Sequence, residues 1–164
     1  ADWMHELLRH LYERGHRRIA FVAPPLHLPS VARRLAVYES LCAAWGLAQD
    51  VLTVPVMDFA APLGLIEPRA PSDRPTAFCC FNDMFAHGLI RALRERGIRV
   101  PDTVSVTGFD GFLAEQRTGE LTTVCVPLAA IAAAACDLLL RQIAGETVPT
   151  ETVLPVTLQA GTTA

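Results

Sequence analysis

Apolar residues recur along the chain in two alternating patterns, one typical of amphipathic helices and one of buried strands. Leu7 and Leu11 fall on one face of a helix that we expect over 2–14, with Gly15 as its stop. The segment that follows, 17–23, which is apolar from Ile19 onwards, predicts a short buried strand. A helix and then a strand are therefore the first two elements.

The same two patterns predict the rest of the chain. Further strands are expected at 51–56, 76–81, 104–109 and 153–158, with extended chain at 121–126. Helices are expected from the candidate N-cap Ser30 to Trp45, from the candidate N-cap Asn82 to about Arg96, and from Pro127 to about Ala144. Four prolines between positions 60 and 75 allow only a short helix there.

Strands that alternate with helices, and that are apolar throughout, predict the fold class. We expect an α/β fold, a doubly wound parallel sheet with helices on both faces. A chain of 164 residues that is 51% hydrophobic is long enough for one domain with a substantial core. No apolar run is long enough to span a membrane and no signal peptide opens the chain, so we expect a cytoplasmic protein without a membrane partner.

The charge of the chain argues against DNA binding by this segment alone. The formal net charge is −3, and the compact basic cluster is confined to Arg14–Arg18. Surfaces that bind DNA phosphates are normally basic overall or carry a dense stripe of Lys and Arg. Any contact with DNA would therefore need another part of the protein.

The five cysteines favour a reducing compartment. Their number is odd and their spacing fits no disulfide framework. We expect them to be buried thiols. Cys79 and Cys80 are adjacent in a predicted strand, so their side chains should point to opposite faces of the sheet.

Polar side chains follow four successive strands, where an open α/β sheet binds its ligands. Arg34 comes after the first strand, Phe59 after Asp58 at the end of the second, Asn82 before Asp83 after the third, and Asp110 after the fourth. Such a set accepts and donates hydrogen bonds to vicinal hydroxyls, while the aromatic ring packs on an apolar ring face. It predicts a site for a sugar, a nucleoside or a similar polar metabolite.

Each of these residues also has a purely structural interpretation. Asn82 is equally explained as a helix cap, and Asp110 as a turn residue before Gly111. Arg34 can belong to a solvated helix face and Phe59 to the core. The binding-site interpretation rests on their shared placement after successive strands.

The sequence offers little support for an enzyme. His5, Glu6 and His10 approach the metalloprotease pattern, but the second histidine comes one residue too late to share a helix face with the first. No nucleophile elbow, phosphate loop or glycine-rich dinucleotide turn is present in the sequence. We therefore expect no catalytic residues, no metal and no cofactor.

Four ordered segments resemble the LacI/GalR family of transcription repressors. They are LYERGHRRIAF at 11–21, PTAFCCFNDMFAHG at 75–88, GIRVPDTVSVTGFD at 97–110, and LTTV at 121–124. The resemblance covers nearly the whole chain and identifies it as the C-terminal, effector-binding part of such a repressor. It implies a periplasmic-binding-protein-like (type I) lobe, within an effector domain of two lobes that senses a small sugar or purine-type ligand.

The resemblance also implies site residues and partners. Arg34 matches the family's ligand-contacting arginine, Asn82 and Asp110 its residues at the ligand hydroxyls, and Phe59 an aromatic of the pocket. The partners would be a small-molecule effector, a second copy in a homodimer, and operator DNA bound through an N-terminal helix-turn-helix outside this chain. A sugar-binding protein of an ABC-type transporter, which has the same fold, is the alternative.

The chain departs from the family pattern in ways that carry expectations. Val126 stands where many members have glutamine, and Gly111 where a second aspartate is common. Residues 1–164 would form mostly one lobe, and the helix 127–144 would belong to the other lobe of an intact protein. Without that lobe, we expect the chain to self-associate through this helix and the segment near Phe112.

Overall fold

The computed structural model describes residues 3–25, 28–55, 57–111 and 119–164 of the chain. Its helices are α1 (Trp3–Glu13), α2 (Pro29–Trp45), α3 (Ala61–Ile66), α4 (Asp83–Glu95) and α5 (Leu128–Ile143), with a short 3-10 helix at Pro71–Asp73. Its strands are β1 (Ile19–Ala23), β2 (Asp50–Thr53), β3 (Ala77–Cys80), β4 (Ser105–Asp110), β5 (Thr122–Cys125) and β6 (Thr157–Gln159). The segment near Phe112 lies outside the described residues.

The strands form one sheet in the order β2-β1-β3-β4-β5-β6. The first five strands of this order run parallel, and β6 pairs antiparallel with β5. The chain places β2 on one side of β1 and β3 on the other, so the strand order reverses at β1. In a doubly wound sheet, the crevice outside the carboxyl ends of the strands at such a reversal is where ligands bind.

Helices cover both faces of the sheet. Phe21 and Cys79 are register partners and point to one face, where Phe21 stacks on Tyr38 of α2 and the Cys79 sulfur lies 3.9 Å from that of Met4 in α1. Gly108 points to the other face, against Asp83 at the start of α4. The predicted α/β, doubly wound sheet with helices on both faces is confirmed.

The ends of several elements differ from the predicted ones. Ser30 is not a cap, because α2 begins at Pro29 after Leu28 and makes no side-chain capping bond. Proline has no backbone N–H, so at the start of a helix it leaves one fewer donor that a capping side chain would have to satisfy. The last strand was expected at 153–158, but β6 is shorter and lies later in the chain.

Only three of the five cysteines are buried. Cys42, Cys79 and Cys80 lie in the core, whereas Cys125 is half-buried and Cys136 is exposed on α5. The expectation that all five are buried is therefore wrong. Cys136 is exposed because it lies on α5, a helix in which no residue is buried.

Helix α5 is the element with the least cover. None of its residues is buried, and several of its large apolar side chains are exposed: Leu128, Ile131, Leu139, Leu140 and Ile143. One side of the helix contacts the segment 149–156, where a groove of about 380 Å³ is lined by Ile131 and Leu138. In the part of the chain that the structure describes, no helix is long and apolar enough to cross a bilayer.

Candidate functional site

Arg34 is the charged centre of a small cluster at the carboxyl edge of the sheet. It lies near the start of α2, and its side chain is only 14% exposed. The guanidinium carbon lies 3.6 Å from the centre of the Phe109 ring and 5.5 Å from that of Trp3. Its Nη1 donates a hydrogen bond to the carbonyl oxygen of Phe81, just after β3. The alternative of a solvated helix face is therefore wrong for Arg34.

Asp110 ends β4 and faces this arginine. Its Oδ1 lies 3.9 Å from Nη2 of Arg34, and its side chain is 44% exposed. Burial raises the pKa of Asp110, and the nearby guanidinium lowers it. The pKa of Arg34 is lowered overall, because burial lowers it by more than the Asp110 carboxylate raises it. The two groups thus form a half-open pair of one hydrogen-bond donor and one acceptor.

The backbone at Asp110 is in an uncommon conformation. Its φ of 117° is positive, although the residue is not glycine, and the next residue, Gly111, has a φ of 70°. Residues other than glycine pay for such a conformation in strain, and strained backbone is concentrated at binding sites. The turn therefore sets the direction of the Asp110 carboxylate at an energetic cost.

Asn82 is the N-cap of α4. Its Oδ1 accepts a hydrogen bond from the backbone N–H of Phe85 at 2.8 Å, so the predicted cap is confirmed. The cap uses only the oxygen of the side chain, and the Nδ2 group still carries two hydrogens. Because Asn82 follows Phe81, whose carbonyl binds Arg34, it lies at the same edge of the sheet as Arg34 and Asp110.

Phe59 contacts a different part of the molecule. Its ring packs on Phe85 with a centre-to-centre distance of 5.4 Å, and it lies directly over Gly88 of α4. It lines a groove of about 810 Å³ on the outer side of that helix, together with Met84 and His87. None of the other three candidates is among the described residues that line this groove. Phe59 is half-buried against the core, which fits its structural interpretation.

The sequence alone did not identify two aromatic residues of the cluster, and it did not predict that one acidic residue is buried. Trp3 packs edge-on against Phe109 at 4.4 Å, and both rings approach Arg34. Phe109 lies two residues after Thr107 in β4 and shares its face of the sheet, which the sequence implies, but its contact with α1 depends on the tertiary fold. Asp83 was noted beside Asn82, yet nothing in the sequence showed that it is buried.

The cluster fits a polar organic ligand better than a metal. Arg34 offers donors in a plane fixed by the Phe109 ring, and Asp110 offers an acceptor about 4 Å away. Adjacent hydroxyl groups on a small molecule can accept from the first and donate to the second. Within the described residues, no three histidine, cysteine or acidic side chains come together as metal ligands.

Comparison with known proteins identifies relatives of the chain. The periplasmic binding protein-like domain family matches residues 8–163. The repressor PurR of Vibrio atlanticus is 33% identical over 139 residues, which are 82% of this chain and 42% of that protein. The repressor CytR of Escherichia coli is 31% identical over 148 residues, which are 86% of this chain and 42% of that protein. The chain therefore spans about two fifths of the length of these relatives.

A solved structure shows the same fold. The LacI-family transcriptional regulator of Enterococcus faecium, determined with bound ribose, superposes with a TM-score of 0.83 at 25% sequence identity. The alignment covers 99% of this chain and 63% of the regulator. The expected type I periplasmic-binding-protein-like architecture is confirmed, and so is the resemblance to the C-terminal part of LacI-family repressors.

Proposed function

Since the chain belongs to the periplasmic binding protein-like domain family, we propose that it is the ligand-sensing part of a LacI-family transcriptional regulator. The observation that carries this proposal is the pair of Arg34 and Asp110 at the carboxyl edge of the sheet, beside Asn82. Its relatives PurR and CytR are repressors, and the regulator from Enterococcus faecium holds ribose. A small sugar or a nucleoside-like metabolite is the proposed effector.

The contacts of the effector follow from the chemistry of the pair. The buried Arg34 donates to hydroxyl or ring oxygens of the ligand, and Asp110 accepts from its hydroxyl groups. The Nδ2 group of Asn82 adds a donor at the same edge. Phe59, whose ring packs on Phe85, is proposed as an aromatic wall at the margin of the site.

Regulation would be a shift between two arrangements of the effector domain. An effector changes such an equilibrium only by the difference between its affinities for the two arrangements. The partners in this proposal are the effector, a second copy in a homodimer, and operator DNA bound through a helix-turn-helix outside this chain. A regulator of transcription works where the chromosome is, so the proposed location is the cytoplasm.

The domain organisation is part of the proposal. Residues 1–164 would form mostly the C-terminal lobe of the effector domain, and the helix at 127–144 would pack on the other lobe. The exposed apolar side chains of α5 support this assignment, because soluble domains rarely leave such a face uncovered. The half-open position of Asp110 fits a site that a second lobe closes.

A transporter's sugar-binding protein has the same fold, but the relatives reported above favour the regulator. The proposal includes no catalytic step and no cofactor. The roles assigned to Arg34, Asn82 and Asp110 are binding roles, in which these residues donate and accept hydrogen bonds.

A thermal-shift screen of the full-length gene product tests the proposal. We would screen D-ribose, other sugars and nucleosides against the wild type, Asp110→Ala and the control Asp102→Ala, whose carboxylate is exposed on a surface turn. A ligand at about 100 times its Kd stabilises the folded state by about 2.7 kcal/mol, which raises the melting temperature measurably. We expect one ligand class to shift the wild type and Asp102→Ala but not Asp110→Ala.

Two results would contradict the proposal. If no sugar or nucleoside shifts the wild type, the effector belongs to another chemical class. If a ligand shifts Asp110→Ala as much as the wild type, it binds elsewhere, and the pair of Arg34 and Asp110 is not the effector site.

A further inference from the structure

Asp83 is a buried acidic residue that lies against β4, close to Asp110. It is 3% exposed and is the first residue of α4, directly after Asn82. Its Oδ1 accepts a hydrogen bond from the hydroxyl of Thr123 in β5. Its Oδ2 is buried and has no hydrogen-bond partner among the residues that the structure describes. A buried carboxylate with one unpaired oxygen costs stability, so its presence calls for a physical explanation.

Strand β4 is shaped to admit this carboxyl group. A Cβ atom placed on Gly108 would lie 2.3 Å from Oδ1 of Asp83 and 3.2 Å from its Cα. No side chain larger than a hydrogen fits there, because real Cβ atoms do not approach other atoms so closely. The missing side chain lets the Asp83 carboxyl group lie against the strand two residues before Asp110.

The same carboxyl group acts on the backbone on both sides of Asp110. The backbone N–H groups of Phe109 and Gly111 lower the pKa of Asp83, although the unpaired Oδ2 makes no hydrogen bond of good geometry with either of them. Between them, Asp110 adopts its positive φ of 117°. On the outer side, a Cβ on Gly111 would lie 2.6 Å from the Cα of Cys125, so the turn is also packed tightly against β5. The Asp83 carboxylate is therefore placed to hold the turn from inside the sheet.

The groups around Asp83 determine its pKa and hence the pH range in which it is charged. Burial raises the pKa of Asp83 to about 6, the Thr123 hydrogen bond lowers it, and the charge of Asp110 raises it. Cys80 faces it from β3 as a neutral thiol, since burial raises the pKa of Cys80 well above its usual value. Arg34 approaches from α2 and compensates the charge of Asp110.

We propose that Asp83 is a positioning residue of the effector site: its charged carboxylate holds the turn that presents Asp110, and proton uptake by Asp83 releases that turn and weakens effector binding. This inference rests on the proposed function, because it assumes that Asp110 binds the effector. Asp83 itself lies beneath the site and does not touch the ligand. It makes effector affinity depend on pH just below neutrality.

The first test observes the turn without any ligand. Backbone amide NMR signals of Phe109 and Gly111 would be followed from pH 5 to pH 8 in the full-length protein. In the wild type both signals should move with a common midpoint near pH 6. The movement should disappear in Asp83→Asn and persist in the control Asp102→Asn. In Thr123→Val the midpoint should rise, because the hydroxyl that favours the charged form is gone.

The second test measures binding of D-ribose by calorimetry over the same pH range. In the wild type the Kd should rise below pH 6, by at most about tenfold per pH unit for one linked proton. In Asp83→Asn the Kd at pH 7.5 should be higher than that of the wild type. It should not change with pH in the way that the wild-type Kd does. Thr123→Ser, which keeps the hydroxyl, should behave as the wild type.

The outcomes separate this inference from the proposed function. Amide signals that do not titrate, or that titrate equally in Asp83→Asn, overturn the role of Asp83. A ribose Kd that is independent of pH in the wild type, while the amides titrate, overturns the coupling to binding. If ribose does not bind the wild type, or binds Asp110→Ala equally well, ribose is excluded as a ligand of this site and the proposed coupling to ribose binding is overturned, whereas the amide titration still decides whether Asp83 holds the turn.

Discussion

Arg34 is held by three kinds of contact at once. Its guanidinium carbon lies 3.6 Å from the centre of the Phe109 ring, and the group donates to the Phe81 carbonyl and faces the Asp110 carboxylate. Stacking needs a planar cation, and the other two contacts need donors that diverge in that plane. Lysine carries the same charge on a compact ammonium group and cannot make all three contacts.

Arg34→Lys should therefore weaken effector binding while leaving the fold intact. We expect the Kd of the ligand found in the thermal-shift screen to rise at least about tenfold, or about 1.4 kcal/mol. The control is Arg33→Lys, because Arg33 is the exposed neighbour on the same helix. Equal Kd values for Arg34→Lys and the wild type would show that the stacked guanidinium makes no contact with the ligand.

His16 makes stability depend on pH at the opposite edge of the sheet. Its two ring nitrogens lie 2.9 Å from the Thr76 hydroxyl and 3.0 Å from the Ser105 hydroxyl. Burial lowers the pKa of His16, and the charges of Arg14 and His10 lower it further. Because the folded pKa is below the unfolded value of about 6.5, the contribution to stability is complete above that pH and is lost as the pH falls below it.

We expect the free energy of unfolding of the wild type to fall between pH 7.5 and pH 5.5 more than that of His16→Gln. Urea unfolding at each pH measures it, with the half-exposed His5 replaced in the control variant His5→Gln. Asp83 acts in the opposite direction, since its raised pKa favours the folded state at lower pH, so only the difference between variants is informative. If the free energy of unfolding falls equally in the wild type and in His16→Gln, the folded structure does not lower the pKa of His16 and this prediction is wrong.

At the scale of single elements, the features that depend on neighbours in the chain were predictable. The Asn82 cap and the glycine after α2 are local, and both are present in the structure. The position of β6 depends on pairing with β5 from about 36 residues away, and the sequence placed it too early. The site followed the same rule: strand ends located Arg34 and Asp110, but the packing of Phe59 and the burial of Asp83 arise from contacts between distant elements.

The Tyr38 hydroxyl group links helix α2 to the backbone of two strands. The Tyr38 hydroxyl donates to the carbonyl of Ile19 at 2.7 Å and accepts from the backbone N–H of Asp50 at 2.9 Å. The hydroxyl thus connects the starts of β1 and β2, and the Tyr38 ring that carries it is fully buried. Burial also raises the pKa of Tyr38 far above its usual value, so the group stays neutral.

Tyr38→Phe should keep the ring packing and lose this connection. Leaving a buried backbone group without a partner costs about 1–3 kcal/mol, so we expect a loss of that size in the free energy of unfolding. Tyr12→Phe is the matched control, because the half-buried Tyr12 ring packs on Trp45 and Arg17 through its faces. It should change stability by less than about 0.5 kcal/mol. Equal losses in the two variants would contradict the role of the Tyr38 hydroxyl.

At the scale of the whole molecule, the uncovered apolar side chains of α5 lead us to expect association. In the proposed regulator its apolar side chains pack on the other lobe. The 164-residue chain by itself offers them only water or a second copy.

We therefore expect the 164-residue chain to self-associate in a concentration-dependent way. Sedimentation equilibrium measures this, with Leu139→Glu/Ile143→Glu as the variant, since these two exposed side chains lie one helical turn apart. The control is Gln142→Glu, which adds charge at an exposed polar position. A monodisperse monomer, or equal association in the variant and the control, would contradict a role for this face.

The strand order also bears on how the chain folds as it is made. Along the chain β1 pairs first with β2, about 30 residues later, and every later strand adds on the other side of β1 in the order of the sequence. As the chain leaves the ribosome, β3 meets the free edge of β1, and each later strand meets the edge that the preceding strand has just created. The sheet grows in one direction from β3 to β6, and no strand has to wait for one synthesised after it. We therefore expect the strands to pair in the order in which they are synthesised, and synonymous changes that alter the speed of translation to matter most between β2 and β3, where the direction of growth reverses.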